Sequence, residues 1–172
     1  DGENSDDSSK WEFLKWQYGL NHLGKEIHMC MEGYCSAYIY WYLKRFYGLM
    51  GDTDKRSPTS EGEITKNGYI MAHYAQYATE TTRIKAVTNN EEVCATAYWD
   101  EKTGEVTIVL LNLNGASQWL EIPLAGIKKA SAVETNETKN MEVIDTGLME
   151  SAEGITVLLS ANSITSVRLT FK

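Results

Sequence analysis

Two cations, Lys44 and Arg45, stand among six aromatic residues, Tyr38, Tyr40, Trp41, Tyr42, Phe46 and Tyr47, so flat rings surround a point charge and a forked cation. A ring offers an apolar face and, in tyrosine and tryptophan, a polar tip, which suits the alternating CH faces and hydroxyl edges of a sugar. A guanidinium grips a carboxylate through two parallel hydrogen bonds. All of them stand in the run Ser36 to Gly48. No Asp or Glu occurs from Ala37 to Gly51, although the chain carries 24 acidic against 16 basic residues. The chemistry this pattern fits is recognition of an acidic carbohydrate. Its bland counterpart is a buried aromatic strand that ends in a basic turn.

The elements that must hold these residues lie on either side. Trp16, Leu20, Leu23, Ile27 and Met31 recur at spacings of four, three, four and four, which predicts an amphipathic helix with one buried face. Ser9-Lys10-Trp11-Glu12 fits a capping box at its start, and Gly33 marks its end. The β-favouring run Tyr34 to Tyr42 then predicts a strand covered on both faces. Leu49 to Glu63, with Gly51, Asp52, Pro58, Thr59 and Ser60, reads as a loop, and Ile64 to Ala78 as a second helix. Past Thr79 short alternating runs broken by turn residues predict an antiparallel β region. Its strands are expected near Arg83 to Val87, Glu92 to Trp99, Glu105 to Leu113, Ser117 to Pro123, Lys129 to Glu134, Met141 to Ile144, Gly154 to Leu159 and Ile164 to Phe171, with a hairpin turn at Asp100 to Gly104.

Composition excludes several functions. A net charge of -8 with scattered bases argues against a nucleic-acid partner. No apolar run approaches the roughly 20 residues of a membrane span, so no membrane partner is expected. Cys30, Cys35 and Cys94 have neither CxxC spacing nor a companion histidine pair, and His22 and His28 do not share a helical turn, so no metal and no cofactor is expected. Cys30 and Cys35 can bridge only if the chain turns back between them. His73 reads as a hydrogen-bonded packing residue. Asn136-Glu137-Thr138 matches a glycosylation sequon. Trp99 and Trp119 are either core residues or sugar platforms, and Trp99, beside the expected turn, is the one expected to be exposed. The acids among Asp1 to Ser9 read as a solvated loop.

The wording of two segments resembles glycoside hydrolase family 30, especially the subfamily 8 glucuronoxylan endo-xylanases. Ala37 to Gly48 looks like that family's last barrel strand, approximately Ala-Tyr-Val-Trp-Trp-Tyr-Ile-Arg-Arg-Ser-Tyr-Gly. Lys66 to Tyr74 looks like its following Lys-Arg-Gly-Tyr-Met-Met-Ala-His-Phe helix. The resemblance implies an α+β chain in which residues 1–79 are the C-terminal part of a (β/α)8 catalytic barrel, its last helix, strand and helix, and residues 80–172 an antiparallel β-sandwich side domain. A whole barrel needs about 250 residues, so the N-terminal part of the barrel is an implied partner.

It further implies part of a retaining glycoside hydrolase that cleaves β-1,4-xylan and works outside the cell or in the periplasm. Xylan or glucuronoxylan is the implied substrate. Both catalytic glutamates of the family fall at strand ends upstream of Asp1, so no catalytic residue is assigned within this chain, and Glu61 and Glu63 match neither. The chain by itself is expected to be inactive. Trp41 matches a tryptophan beneath the sugar ring, and Tyr42, Arg45 and Tyr47 match residues that hold a methylglucuronic acid branch. Tyr40, Lys44 and Phe46 depart from the family's Trp, Arg and Ser, and the loop after Leu49 is several residues longer than usual. A second reading is a non-catalytic carbohydrate-binding or interaction β-sandwich. Under the barrel reading, Trp16, Ile27 and Tyr38 are expected either to face another molecule or to be unusually exposed.

Overall fold

The computed structural model describes residues 11–145, 148–151 and 153–172, which leaves Ser9 and Lys10 of the expected capping box outside the described residues. A 3-10 turn at Glu12–Leu14 leads into a helical segment whose pieces are α1 (Trp16–Gly19), a π-helical turn (Leu20–Gly24) and α2 (Lys25–Glu32). Trp16, Leu20, Leu23 and Ile27 are all buried, as their spacing requires. The helix ends in a Schellman closure. The Tyr34 amide donates to the Met31 carbonyl at 3.1 Å and the Cys35 amide to the Cys30 carbonyl at 3.0 Å. The residue in the left-handed conformation is Tyr34, at φ 58°, and Gly33 is the C-cap before it.

Residues 36–42 join no strand ladder among the described residues. The expectation of a strand there is corrected on simple grounds. A strand is held by its neighbours' amides and carbonyls, and among the described residues no ladder of such bonds forms along this run. The chain instead hooks back on itself, with Leu49 N–H donating to Tyr42 O at 3.2 Å and Met50 N–H to Leu43 O at 2.8 Å. Single bridges then link Lys44 with Met50 and Met50 with Ile64. α3 (Lys66–Tyr77) follows, its first turn capped by Thr65, whose hydroxyl accepts from the Gly68 amide at 3.2 Å.

The β region has the strands β1 (Thr82–Ile84), β2 (Val93–Trp99), β3 (Val106–Asn112), β4 (Gln118–Ile122), β5 (Ile127–Thr135), β6 (Glu142–Val143), β7 (Leu148–Glu150), β8 (Ile155–Leu159) and β9 (Ser163–Phe171). They form a six-stranded sheet in the order β1-β2-β3-β9-β5-β6 and a three-stranded sheet in the order β4-β8-β7. All described pairings are antiparallel. The β2–β3 hairpin turns at the expected place, with Gly104 at φ 74° supplying the left-handed residue. β7 was not expected. At three residues it is too short to show an alternation.

The six-stranded sheet is buried on both faces, which explains the unbroken apolar run of β3. Ile108 and Leu110 face the second sheet with Ala97, Val157, Leu159, Val167 and Leu169. Val109 and Leu111 face the helices with Trp16, Leu20, Leu23, Ile27, Ile70, Tyr74, Tyr98 and Ile164. Trp16 and Ile27 are therefore covered by this chain's own sheet, and the expectation that they would be exposed or face another molecule fails. Tyr38, at the margin of the same cluster, is half-buried and donates its hydroxyl to Glu26 at 3.0 Å.

His73 joins α3 to the sheet. Its ring is fully buried, with Nδ1 2.7 Å from the Ser166 hydroxyl and Nε2 2.9 Å from the Thr135 hydroxyl. Burial lowers its pKa to about 3. The ring is thus a neutral packing residue, as read from the sequence. Lys66, at the start of α3, reaches the turn after β5 and donates to the carbonyls of Asn136 and Lys139 and to the Asn140 side chain at 2.6–3.0 Å. Asn136 builds that turn, its side-chain oxygen accepting from the amides of Thr138 and Lys139 at 2.9 and 2.8 Å. The sequon residues thus have a local structural use in an Asx turn.

Candidate functional site

The four residues matched to the resembled family, Trp41, Tyr42, Arg45 and Tyr47, are brought together on the hook of residues 40–50. The Trp41 and Tyr42 rings lie 4.0 Å apart between centroids at 38°, across a cis peptide bond. Tyr42 and Tyr47 are 6.1 Å apart. The Arg45 guanidinium carbon stands 5.5 Å from the centre of the Tyr42 ring, within the range of a cation–π contact. Trp41 is 68% exposed, Tyr42 and Arg45 are exposed, and Tyr47 is half-buried. A ring left this open has a free face on which a sugar can lie.

Tyr40 holds the hook shut. Its hydroxyl donates to the Tyr47 carbonyl at 3.0 Å and accepts from the Asn67 amide at 3.3 Å, tying both arms of the hook to α3. Burial raises its pKa, so it serves here as a neutral phenol. Gly48 is required at the bend. A Cβ there would stand 2.8 Å from the Arg45 amide nitrogen and 2.9 Å from the Tyr42 carbonyl. The Thr65 hydroxyl fixes the Gly48 carbonyl at 2.7 Å, so the cap of α3 also anchors the site.

The long loop after Leu49 is tied at its feet. Gly51 N–H donates to Glu63 O at 2.9 Å and Gly62 N–H to Gly51 O at 3.0 Å, the closed ends that define an Ω-loop. It folds back against the hook at two places. Glu61 meets Lys44 at 2.6 Å, and the Arg56 guanidinium lies 3.9 Å from the centre of the Phe46 ring. Phe46 is buried and takes Trp11 edge-on at 5.8 Å. Arg56 is held by Asp54 through two bonds of 2.9 and 2.6 Å, and those hydrogen bonds keep the Asp54 carboxyl below the usual carboxylate range. Lys44 and Phe46 are two of the departures from the family pattern. Both are contact points for this loop.

Sequence reasoning named Trp41, Tyr42, Arg45 and Tyr47 but missed Tyr40, Arg56 and Glu61 as supports. Tyr40 was visible only as a substitution, and nothing in the spacing of Arg56 or Glu61 reveals that a loop folds back. Trp99 and Trp119 lie apart, on strands of different sheets. Trp99 is 40% and Trp119 51% exposed, so the ranking expected from the turn is reversed. The reason is that Trp119 is an outward-facing position of β4, the edge strand of the smaller sheet. Among the described residues no group of three His, Cys, Asp or Glu side chains is gathered as a metal site, and no helix is long and apolar enough to cross a membrane.

No family model matches the chain. Over 157 residues it is 30% identical to the glucuronoxylanase XynC of Bacillus subtilis strain 168, a match that covers 88% of this chain and 34% of the relative. The chain therefore spans about a third of the length of the curated relatives it matches. Among solved structures it resembles the glycoside hydrolase family 30 subfamily 8 xylanase Xyn30A of Clostridium acetobutylicum, with a TM-score of 0.77 and 22% identity over 90% of this chain and 39% of the other. A family 30 endoxylanase of Clostridium papyrosolvens matches with a TM-score of 0.74 and 24% identity over 96% and 39%. The antiparallel β-sandwich is thus that of the family's C-terminal side domain. On sequence and fold together, the chain belongs with the glycoside hydrolase family 30 xylanases, of which it matches the C-terminal part.

Proposed function

We propose that this chain supplies the branch-recognition wall of a retaining β-1,4-xylanase whose two catalytic glutamates lie on a barrel part outside it. The observation that carries the reading is the exposed cluster of Trp41, Tyr42, Arg45 and Tyr47, held on a pinned hook in a chain 30% identical to glucuronoxylanases. Trp41 lies beneath a xylose ring. Arg45 grips the carboxylate of a glucuronic or methylglucuronic acid branch with two parallel bonds, and Tyr42 and Tyr47 meet its hydroxyls. Residues 1–79 complete a (β/α)8 barrel with that missing part, and residues 80–172 are its side domain. Residues 36–42, which join no ladder among the described residues and leave Ile39 92% exposed, offer the backbone and apolar surface that a neighbouring barrel strand would cover. The enzyme acts on xylan outside the cell or in the periplasm.

A retaining mechanism needs two carboxyl groups about 5 to 5.5 Å apart, one a nucleophile and one an acid and then a base. This chain's residues do not perform that step. They fix which sugar stands at the reacting bond by holding the branch beside it, so their energy appears as selectivity. The chain alone accordingly does not hydrolyse xylan.

The test uses the chain joined to its upstream barrel part. Arg45→Ala removes hydrogen bonds to a charged group worth about 1.5–3 kcal/mol, which predicts a loss of roughly ten- to a hundredfold in kcat/KM on glucuronoxylan and little change on unbranched xylo-oligosaccharides. Arg45→Lys does not restore the loss, because an ammonium lacks the fork. Equal losses on both substrates would make Arg45 a structural residue of the hook. Turnover by the isolated chain, abolished by changing one of its own carboxylates, would overturn the division of labour.

One observation favours a second reading, a carbohydrate-binding β-sandwich without catalysis. The exposed rings of Trp99 and Trp119 are available as sugar platforms. Retention of the isolated chain on insoluble xylan, lost in Trp119→Ala and kept in Trp41→Ala, would support it over the first.

A further inference from the structure

We propose that Cys30 and Cys35 form a reversible disulfide that locks the end of α2 to the segment leading into the hook. The Schellman closure supplies the geometry. With Gly33 as the C-cap and Tyr34 left-handed at φ 58°, Cys30 is the third helical residue from the end and Cys35 the second residue beyond the cap. The motif's outer hydrogen bond joins these same two residues, Cys35 N–H to Cys30 O at 3.0 Å. It characteristically brings the side chains of those two positions into contact. Here both are thiols, and Cys35 lies close enough to push the Cys30 thiol further above its ordinary value. The chain thus turns back between the two cysteines, the one condition that bridging required.

The two thiols differ in a useful way. Cys35 is exposed and open to an incoming reagent, while Cys30 is half-buried. Desolvation, with the neighbouring Cys35, pushes the Cys30 thiol above its ordinary value, so Cys30 suits the resolving role. The reagent is a small-molecule disulfide. The Cys35 thiolate attacks one of its sulfurs and expels the first thiolate, leaving a mixed disulfide on Cys35. Cys30, once deprotonated, attacks the Cys35 sulfur and expels the second thiolate. The two cysteines together give up two protons and two electrons, and the reagent disulfide becomes two thiols. Cys94, on β2, takes no part and serves as an internal reference. The reading does not depend on the xylanase assignment.

The experiment poises the reduced chain in oxidised glutathione, removes the reagent, and reads intact mass, thiols titrated in denaturant and tryptic peptides. The expected result is a loss of about 2 Da, one titratable thiol in place of three, and the mass change confined to the peptide of residues 26–44, which holds both cysteines. Cys94→Ser leaves the loss unchanged and removes the last titratable thiol. Cys30→Ser stops at a glutathione adduct on Cys35. Three titratable thiols after oxidation, a lasting adduct in the unsubstituted chain, a bond to Cys94, or a covalent dimer through Cys35 would each overturn the proposal.

Discussion

Two aromatic-rich regions of this chain meet opposite fates. At the seam between the helices and the six-stranded sheet, Trp16, Tyr74 and Tyr98 are packed out of water among Leu20, Ile27, Ile70 and Leu111. On the hook, Trp41 and Tyr42 stand open beside Ile39 and Leu43, which are also exposed. Composition does not separate the two. Partners do: the seam finds its second layer within the chain, whereas Trp41 and Tyr42 lie against each other and leave much of their surface to solvent. A region that keeps large rings exposed while spending hydrogen bonds from Tyr40 and Thr65 to fix its backbone is organised for contact with something else.

The comparison breaks most directly at the seam. Ile70→Ala removes a fully buried side chain and is expected to cost about 2–5 kcal/mol, measured by urea denaturation of the isolated chain. A cost below about 1 kcal/mol would mean that the seam is not the close-packed region described.

Acid is the next probe. His73 has a folded pKa lowered to about 3 from 6.5, so the folded chain keeps it neutral while the unfolded chain takes up the proton first. Its contribution is therefore fully present above about pH 6.5 and is lost as the pH falls, at ~1.4 kcal/mol per pH unit, until about pH 3. His73→Gln should flatten this part of the stability profile. An unchanged slope would assign the acid sensitivity to other groups.

A smaller effect sharpens the other side. Tyr40→Phe deletes the hydroxyl that joins the hook to α3 and should cost about 0.5–1.5 kcal/mol, with faster amide exchange at Tyr47 and Gly48. Loss of stability without any change in exchange there would place its role elsewhere. The smallest effect is expected at Ile39, where Ile39→Ser should change the isolated chain's stability by less than about 0.5 kcal/mol. In the joined enzyme the same change should be costly, because the barrel neighbour then buries the side chain. Equal, negligible effects in both would remove residue 39 from any barrel contact.

Much of this fold is legible because periodicity reports burial. The Trp16 to Ile27 stripe, the alternation through the β region and the turn at Asp100 to Gly104 all carry local signals. The hook does not. Tyr34 to Tyr42 has the composition of a strand, but whether β-favouring residues become one depends on a neighbour's hydrogen bonds, which no local pattern encodes. The helix end was legible in Gly33, yet the left-handed position fell on Tyr34, since the closing bonds decide which residue must turn. Of the candidate site, the clustering of rings around Lys44 and Arg45 could be read from type and spacing, and the resemblance picked out the four candidates. Their supports could not, because Arg56 and Glu61 act across a folded-back loop whose contacts are tertiary.

The tied feet of that loop have a consequence for how such a site diversifies. Because Gly51 and Glu63 are bonded backbone to backbone, the residues between them hang from a closed neck, and changes in their number need not pull on Leu49 or on the cap of α3 at Thr65. For a flexible loop, doubling the length costs only about 0.6 kcal/mol in closure entropy. Insertion at this point is therefore among the cheapest ways to reshape what stands beside Lys44 and Phe46. A lineage can try new walls beside the hook, while the backbone that carries Arg45 remains held by the bonds of Tyr40 and Thr65.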